Sequence, residues 1–170
     1  SMAVNLSVTN LADPDLPADV AALLRHGGLE PEHLELEITE DIVIAEAIGP
    51  IGVLHELKEL GVRLALDDFG TGYSSLAYLK HLAVDTVKID RSFVRDVAEC
   101  REDGAIVQSI VALAHALDLA VVAEGVSSEP SWHAVRAAGC DQAQGFWLGR
   151  AMAADGFTAW LAEREPAVRA

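Results

Sequence analysis

RLALDDFGTGYSSL, residues Arg63–Leu76, is the stretch around which the rest of the chain is organised. In its first half, leucines alternate with smaller or polar residues, which is the period-two pattern of a short buried strand. We therefore predict a strand over Arg63–Leu66. This strand leads directly into two carboxylates, Asp67 and Asp68.

Two glycines, Gly70 and Gly72, follow the carboxylates and supply positions where φ can be positive or a ligand can come close. Ser74 or Ser75 can then cap a helix over Leu76–Lys80. Paired carboxylates at the carboxyl end of a buried strand, under a glycine loop, suit a divalent metal with room for a substrate. The alternative is structural, because aspartate is a common turn former and the residues also fit a plain strand–turn–helix joint.

Strands and helices alternate along the whole chain at the spacing of βα units, which predicts an α/β fold with a parallel sheet. We expect a single domain over residues 1–170 with about six βα units. The predicted strands are Ala3–Val8, His33–Thr39, Arg63–Leu66, Val84–Ile89, Ala120–Ala123 and Asp141–Gln144. The predicted helices are Ala22–Arg25 with Asp19 as its cap and Gly27-Gly28 as its end, Ile51–Leu60, Leu76–Lys80, Asp103–Leu117, Trp132–Ala138 and Phe157–Glu163.

Composition excludes several classes of protein. Hydrophobic residues make up 51% and charged residues 23% of the chain, as in an ordinary globular domain. The formal net charge of −15 argues against binding a nucleic acid polymer or an anionic membrane through a basic face. Cys100 and Cys140 form no C-x-x-C motif, so we expect a reduced, cytoplasmic protein. The most apolar stretch, Ile106–Val126, is interrupted by polar residues and is expected to form a helix and a strand, with no membrane span.

The predicted strands carry large aliphatic side chains on one face and polar side chains on the other, at or near their carboxyl ends. In a (β/α) barrel the active site lies at that end. Solvated strand ends would explain one or two polar residues, but burying the whole set without a ligand would be costly. The polar set is Asn5, Glu35, Glu37, Asp67, Thr86, Lys88, Glu124, Gln142 and Gln144.

The chemistry of this set favours metal-assisted hydrolysis of a phosphate ester. Carboxylate and amide oxygens suit Mg²⁺ or Mn²⁺, and a lysine among them can orient a metal-bound water or stabilise charge on a phosphoryl oxygen. The chain contains neither the H-E-x-x-H motif of zinc proteases nor the G-x-S-x-G motif of serine hydrolases.

At these residues the sequence resembles the EAL domain, the cyclic-di-GMP-specific phosphodiesterase family of bacterial signalling. The resemblance implies a modified TIM barrel that opens cyclic di-GMP to the linear dinucleotide pGpG with two Mg²⁺ or Mn²⁺ ions. Because a complete TIM barrel needs about 250 residues, we expect this α/β chain to form a (β/α) TIM-barrel-like structure with about six βα units, and so an incomplete barrel. The matching segments occur in family order along almost the whole chain: VNLS (Val4–Ser7), LELEITE (Leu34–Glu40), LALDDFGTGYSSLAYL (Leu64–Leu79), VDTVKIDRSFV (Val84–Val94), VVAEGV (Val121–Val126) and GCDQAQGFWLGRAM (Gly139–Met152).

The resemblance also implies roles for individual residues. Asn5 and Glu37 resemble metal ligands, Asp67 the carboxylate shared by both metals, and Asp68 and Glu124 the groups that serve the second metal. Lys88 resembles the lysine that contacts the hydrolytic water, and Gln144 the glutamine near it. Glu40 resembles the glutamate that supports the DDFGTG loop, with its Gly70 and Gly72, and helps couple dimerisation to activity.

The chain also departs from the family pattern. The Glu-Ala-Leu strand, with its metal-binding glutamate and a nearby substrate-binding arginine, has no counterpart here, because Glu46-Ala47-Ile48 falls in the expected helical stretch after the second strand. We expect that two strands and their helices lie upstream and that the 170-residue piece alone is inactive. Ser127 replaces a usual acidic residue, and Ala151 replaces a usual proline.

Two interpretations of function follow. In the first, the parent protein is a cyclic-di-GMP phosphodiesterase, which the retained acidic set favours. In the second, the chain is a degenerate EAL domain that acts as a receptor for the dinucleotide or as a protein-interaction module without turnover. In either case, open strand edges predict a homodimer or a larger species.

Overall fold

The structure is a computed structural model that describes residues 1–40, 51–72, 79–80 and 82–164. Strands and helices alternate along it. In chain order the elements are β1 (Met2–Asn5), α1 (Val8–Leu11), α2 (Leu16–Gly27), a 3₁₀ turn (Pro31–His33), β2 (Leu34–Thr39), α3 (Ile51–Glu59), β3 (Arg63–Phe69), β4 (Thr86–Ile89), α4 (Arg91–Val94), α5 (Arg101–Ala116), β5 (Ala120–Ala123), α6 (Glu129–Ala138), β6 (Gln142–Ala143) and α7 (Ala154–Arg164).

All six strands form one parallel sheet in the order β1-β2-β3-β4-β5-β6. Each strand pairs with the next one in sequence, so the connections run in one direction around the sheet, as in a (β/α) barrel. The result is a half-barrel that brings the carboxyl ends of all six strands to one end of the molecule. Among the described residues, β1 pairs only with β2 and β6 only with β5, which leaves two open edges.

The outer face of the sheet forms the hydrophobic core. Strand residues of the predicted aliphatic face are buried under the helices, and α5 packs on them with one apolar stripe. Val4 is exposed because it lies on the edge strand β1. The buried strand residues are Leu36, Ile38, Leu64, Leu66, Val87, Ile89, Val121 and Ala123, and those of α5 are Val107, Ile110, Val111 and Ala114.

The beginning of the chain corrects the first predicted strand. β1 ends at Asn5, and Val8 belongs to a short helix. The reason is local, because the side chains of Ser7 and Asn10 form a capping box that starts α1. A strand continuing through Val8 would lose these hydrogen bonds.

The second helix begins earlier than predicted. α2 starts at Leu16, so Asp19 lies in its first turn and is not its N-cap, which is Asp15. Pro17 is accommodated there because the first-turn N–H groups have no helical partner. The helix ends as predicted, with Gly28 in the left-handed conformation.

Other boundaries shift by a few residues. β3 is longer than expected and contains both aspartates, whereas β4 and β6 are shorter, and α7 begins three residues before the predicted Phe157. β5 is confirmed at Ala120–Ala123. The predicted caps Ser74 and Ser75, most of Leu76–Lys80, and Glu46-Ala47-Ile48 lie outside the described residues. Within the described part of the chain, none of the helices combines the length and hydropathy needed to cross a membrane.

Candidate metal centre

Lys88 lies at the centre of the candidate site. It sits on the inner face of β4, and only 4% of the residue is exposed. Its Nζ lies 2.6 Å from Glu37 Oε1, 2.6 Å from Glu124 Oε1 and 3.2 Å from Asp67 Oδ1. The parallel sheet thus brings four of the predicted residues, each from a different part of the chain, into direct contact.

A second cluster overlaps the first. One carboxylate oxygen from each of Asp67, Asp68 and Glu124 lies within 4.8 Å of the others, a spacing that suits a shared cation. Asp67 Oδ1 is buried and takes part in no hydrogen bond within the described residues, although it faces the ammonium of Lys88. An unsatisfied buried carboxylate oxygen is costly, so the residues present fit a hard divalent cation at this place.

The charges of the site are strongly coupled. Burial acts to lower the pKa of Lys88, but its hydrogen bonds to Glu124 and Glu37 and the charge of Asp67 outweigh that effect and raise the pKa. Lys88 is therefore a cation at neutral pH. Burial raises the pKa of Glu124, and the hydrogen bond from Lys88 offsets only part of the rise. These carboxylates gain from any further positive charge brought to them.

The loop after β3 is shaped by its backbone. Asp68 has a φ of 54°, which is unusual for a residue other than glycine, and its carbonyl accepts hydrogen bonds from Thr71 N and Oγ1. Gly70 has a φ of 98°, and its N–H donates to Glu40 Oε2 at 3.0 Å. Glu40 is buried at the end of β2. The contact agrees with the loop-supporting role that the resemblance implies for Glu40, whereas Gly72 is exposed in a bend.

Asn5 and Gln144 lie at the same end of the sheet but are exposed. Asn5 is the register partner of Glu37, and the next residue, Leu6, donates its N–H to Glu37 O. Gln144 follows β6, and its backbone bonds to Ala123 and Val126. The metal contact expected of Asn5 and the water contact expected of Gln144 therefore remain predictions.

Sequence reasoning missed Asp90. It follows β4 directly, caps α4 by accepting a hydrogen bond from Ser92 N at 2.9 Å, and faces Asp68. Partial burial together with the charges of Asp67 and Asp90 raises the pKa of Asp68. The signal is present in the segment Lys88-Ile89-Asp90, because the inner-face alternation of Thr86 and Lys88 continues to Asp90.

Comparison with known proteins agrees with this geometry. The family model described as "EAL domain" matches residues 1–151. The bifunctional diguanylate cyclase/cyclic di-GMP phosphodiesterase MucR of Pseudomonas aeruginosa is 46% identical over 163 residues, which are 95% of this chain and 24% of MucR. The chain thus spans about a quarter of the length of this curated relative.

Solved structures give the same result. The PaMucR phosphodiesterase in complex with c-di-GMP superimposes with a TM-score of 0.86 at 44% identity, over 91% of this chain and 63% of that one. Klebsiella pneumoniae BlrP1, in a manganese/cy-diGMP complex, has a TM-score of 0.79 at 36% identity, over 85% of this chain and 37% of that one. Since the family model covers most of the 170 residues, the chain belongs to the EAL domain family.

Proposed function

We propose that this chain supplies most of the active site of a cyclic-di-GMP phosphodiesterase that opens the ring to linear pGpG. The observation that carries the proposal is the buried contact of Lys88 with Glu37, Asp67 and Glu124, beside Asp68, at the carboxyl ends of the strands. The same fold in PaMucR is solved in complex with c-di-GMP, which supports the choice of substrate.

Two divalent ions, Mg²⁺ or Mn²⁺, are part of the proposal. Asp67, Asp68 and Glu124 would hold them, together with Glu37 and Asn5. Bound ions of this kind polarise a phosphoryl oxygen and lower the pKa of a bound water. The manganese/cy-diGMP complex of BlrP1 supports manganese as one candidate.

The remaining residues act on charge and position. Lys88 is held rigidly by its carboxylates, so its ammonium presents a fixed positive charge to a developing oxyanion and a donor to the attacking water. We assign Gln144 to orienting that water. Glu40 keeps the loop of Asp68 in place through Gly70, which positions Asp68 without a direct part in the chemistry.

The metal assignment is tested by Mn²⁺ binding to the chain, measured by equilibrium dialysis. Asp67→Asn should weaken binding by at least about tenfold, because a hard cation binds less tightly when a neutral amide replaces a charged carboxylate. The matched control is Asp96→Asn, which changes an exposed aspartate paired with Arg95 and should leave binding unchanged. Equal affinity in wild type and Asp67→Asn would overturn the metal assignment.

Turnover tests the activity. We propose that a Glu-Ala-Leu strand, which these 170 residues do not provide, completes the site, so the chain alone should release little pGpG from cyclic di-GMP and Mn²⁺. In a protein that carries such a strand, Lys88→Ala should lower kcat far more than it raises KM, because Lys88 acts on the water. An unchanged kcat would contradict the role of Lys88, and binding without turnover in the completed protein would favour a receptor.

We further propose a cytoplasmic setting and self-association. Both cysteines, Cys100 and Cys140, are free thiols, which suits a reducing compartment. The acidic net charge of −15 gives no support for a nucleic acid polymer as partner.

A further inference from the structure

The short helix α4 lies between two segments that carry carboxylates of the metal centre. It follows β4 directly, and Asp90 fixes its start by accepting a hydrogen bond from Ser92 N at 2.9 Å. Asp68 lies at the end of β3, and Glu124 directly follows β5. Because β3, β4 and β5 are neighbours in one parallel sheet, the segments that follow them meet at the same end of the molecule.

On one side, α4 contacts the loop after β3 through the ring of Phe93. The ring is so close to Gly70 that a Cβ added to this glycine would lie 3.0 Å from Phe93 Cε2. Phe93 is half-buried and packs against the hydrophobic core, so the ring has little freedom to swing away. Gly70 is two residues beyond Asp68, and their Cα atoms are at most about 7 Å apart. The ring therefore limits how closely the loop that carries Asp68 can approach α4.

On the other side, α4 contacts the loop after β5 through Arg91. A Cβ added to Gly125 would lie 2.5 Å from Arg91 Cβ and 3.2 Å from Arg91 Cα. These two atoms are part of the helix backbone or attached to it, so they cannot move aside unless α4 moves as well. Gly125 directly follows Glu124, whose N–H donates to Ile89 O at the end of β4, at 3.1 Å. The position of α4 therefore also restrains the backbone of Glu124.

We propose that α4 is a spacer that fixes the distance between Asp68 and Glu124, with Phe93 and Arg91 as positioning residues for the metal centre. This inference rests on the proposed function. One oxygen of Asp68 and one of Glu124 lie within 4.8 Å of each other, and a divalent cation accepts oxygen ligands only at about 2.0–2.6 Å. A small displacement of either loop would thus separate the two carboxylates from a common ion. The spacer contributes to affinity for the ion and has no part in the reaction itself.

The role of Phe93 is tested by the affinity of the chain for Mn²⁺, measured by equilibrium dialysis on variants whose folding is verified by circular dichroism. Phe93→Ala should weaken binding by about tenfold, as expected when support behind metal ligands is lost. Phe93→Met should recover most of the affinity, because methionine can refill the space beside Gly70. Val94→Ala is the matched control, since it removes a fully buried core side chain from the same helix. It should lower stability and leave Mn²⁺ affinity within about twofold of wild type.

The contact between Arg91 and Gly125 is tested with a double variant. Gly125→Ala should weaken Mn²⁺ binding, because the new Cβ would displace α4 or the loop that begins at Glu124. Adding Arg91→Gly removes the Cβ on the facing side and should recover part of the affinity. Recovery is only partial because Gly125 has a φ of 74°, where alanine is strained whatever lies opposite. Strain at Gly125 alone would not be relieved by a change at Arg91.

The outcomes separate the spacer from the proposed function. Equal Mn²⁺ affinity in wild type and Asp67→Asn would overturn the metal assignment and the spacer together. If Asp67→Asn weakens binding, the role of Phe93 is overturned by affinity within about twofold of wild type in Phe93→Ala, by an equal loss in Val94→Ala, or by no recovery in Phe93→Met. Equal affinity of Gly125→Ala with and without Arg91→Gly would overturn the role of Arg91. Loss in Phe93→Ala and recovery in Phe93→Met, with Val94→Ala unchanged, support the spacer.

Discussion

At the scale of single residues, Lys88 supplies a positive charge at the centre of an acidic site. Three carboxylates converge on one buried ammonium, and each of the three side chains is itself largely buried. Removing one partner of a buried ion pair leaves the other charges uncompensated, which costs more than the pair itself contributes. Lys88 therefore has a structural role in addition to the proposed catalytic one.

We expect Lys88→Met to lower the free energy of unfolding by about 3 kcal/mol or more in the presence of a chelator. Urea denaturation followed by circular dichroism measures this. Lys80→Met, at an exposed lysine, is the matched control and should change stability by less than about 0.5 kcal/mol. Equal stability of the two variants would mean that the carboxylates tolerate the loss of the cation.

Among the glycines compared within the described residues, Gly145 has the least room for a side chain. A Cβ there would lie 2.1 Å from Val126 O and 2.4 Å from Val126 N, and backbone atoms cannot move aside as a flexible side chain can. We expect Gly145→Ala to cost about 2 kcal/mol or more of stability. Gly104→Ala, within the helix α5, is the control, because the nearest atom to the added Cβ would be Val97 O at 3.6 Å. Alanine in a helix interior should stabilise the fold by about 0.5–1 kcal/mol relative to glycine. Thermal melts that show both variants equally stable would contradict the close approach.

At the scale of elements, Asp141 joins three of them. Its Oδ2 accepts a hydrogen bond from Val121 N in β5 at 2.8 Å and lies 2.9 Å from His115 Nε2 at the end of α5. Asp141 itself leads into β6, whose short ladder is thereby anchored. The hydrogen bond with His115 and that from Val121 hold the pKa of Asp141 below its usual range, against the opposing effect of burial.

This lowered pKa predicts a pH dependence of stability. A carboxyl group whose pKa is lower in the folded state stabilises the fold at pH values above its pKa in the unfolded chain, which is about 4. This contribution is lost as the pH falls through the pKa of the folded state. Asp141→Asn should therefore cost about 1 kcal/mol at pH 6, since the pair is partly exposed, and less at pH 3. Urea denaturation of both proteins at each pH measures it, with Asp96→Asn as the control. A stability difference between wild type and Asp141→Asn that grows toward low pH would contradict the predicted pH dependence.

At the scale of the whole molecule, the half-barrel formed by the described strands has two open edges. On β1, Met2 is 70% and Val4 42% exposed, and neither β1 nor β6 contains the lysine or proline that blunts free strand edges. On α7, Phe157 and Leu161 are also exposed. Open backbone groups and apolar side chains together favour a second copy of the chain at these edges.

We expect the chain to form a homodimer or a larger species. The net charge of −15 opposes association of like copies, so added salt should strengthen it by screening. Sedimentation over a wide range of concentration, at low and at high salt, measures the effect. A monodisperse monomer under all conditions would show that the edges are covered within one chain.

Much of the fold follows from sequence alone. The alternation in β3, its two carboxylates and the spacing of βα units predict a parallel sheet with its polar groups at one end, and the resemblance to the EAL domain implies the incomplete barrel. These are local patterns, since a period of two and a glycine after a helix depend only on neighbours in the chain. Such patterns locate the end of α2 at Gly28 and the strand Ala120–Ala123.

Tertiary structure decided the rest. Lys88 meets Glu37, Asp67 and Glu124 only because parallel pairing aligns strands that are far apart in the chain. The position of Asp90 beside Asp68 has the same origin, as does the close approach of Gly145 to Val126. Sequence determines which side chains each strand carries to its end, whereas the register between strands determines which of those side chains come within bonding distance.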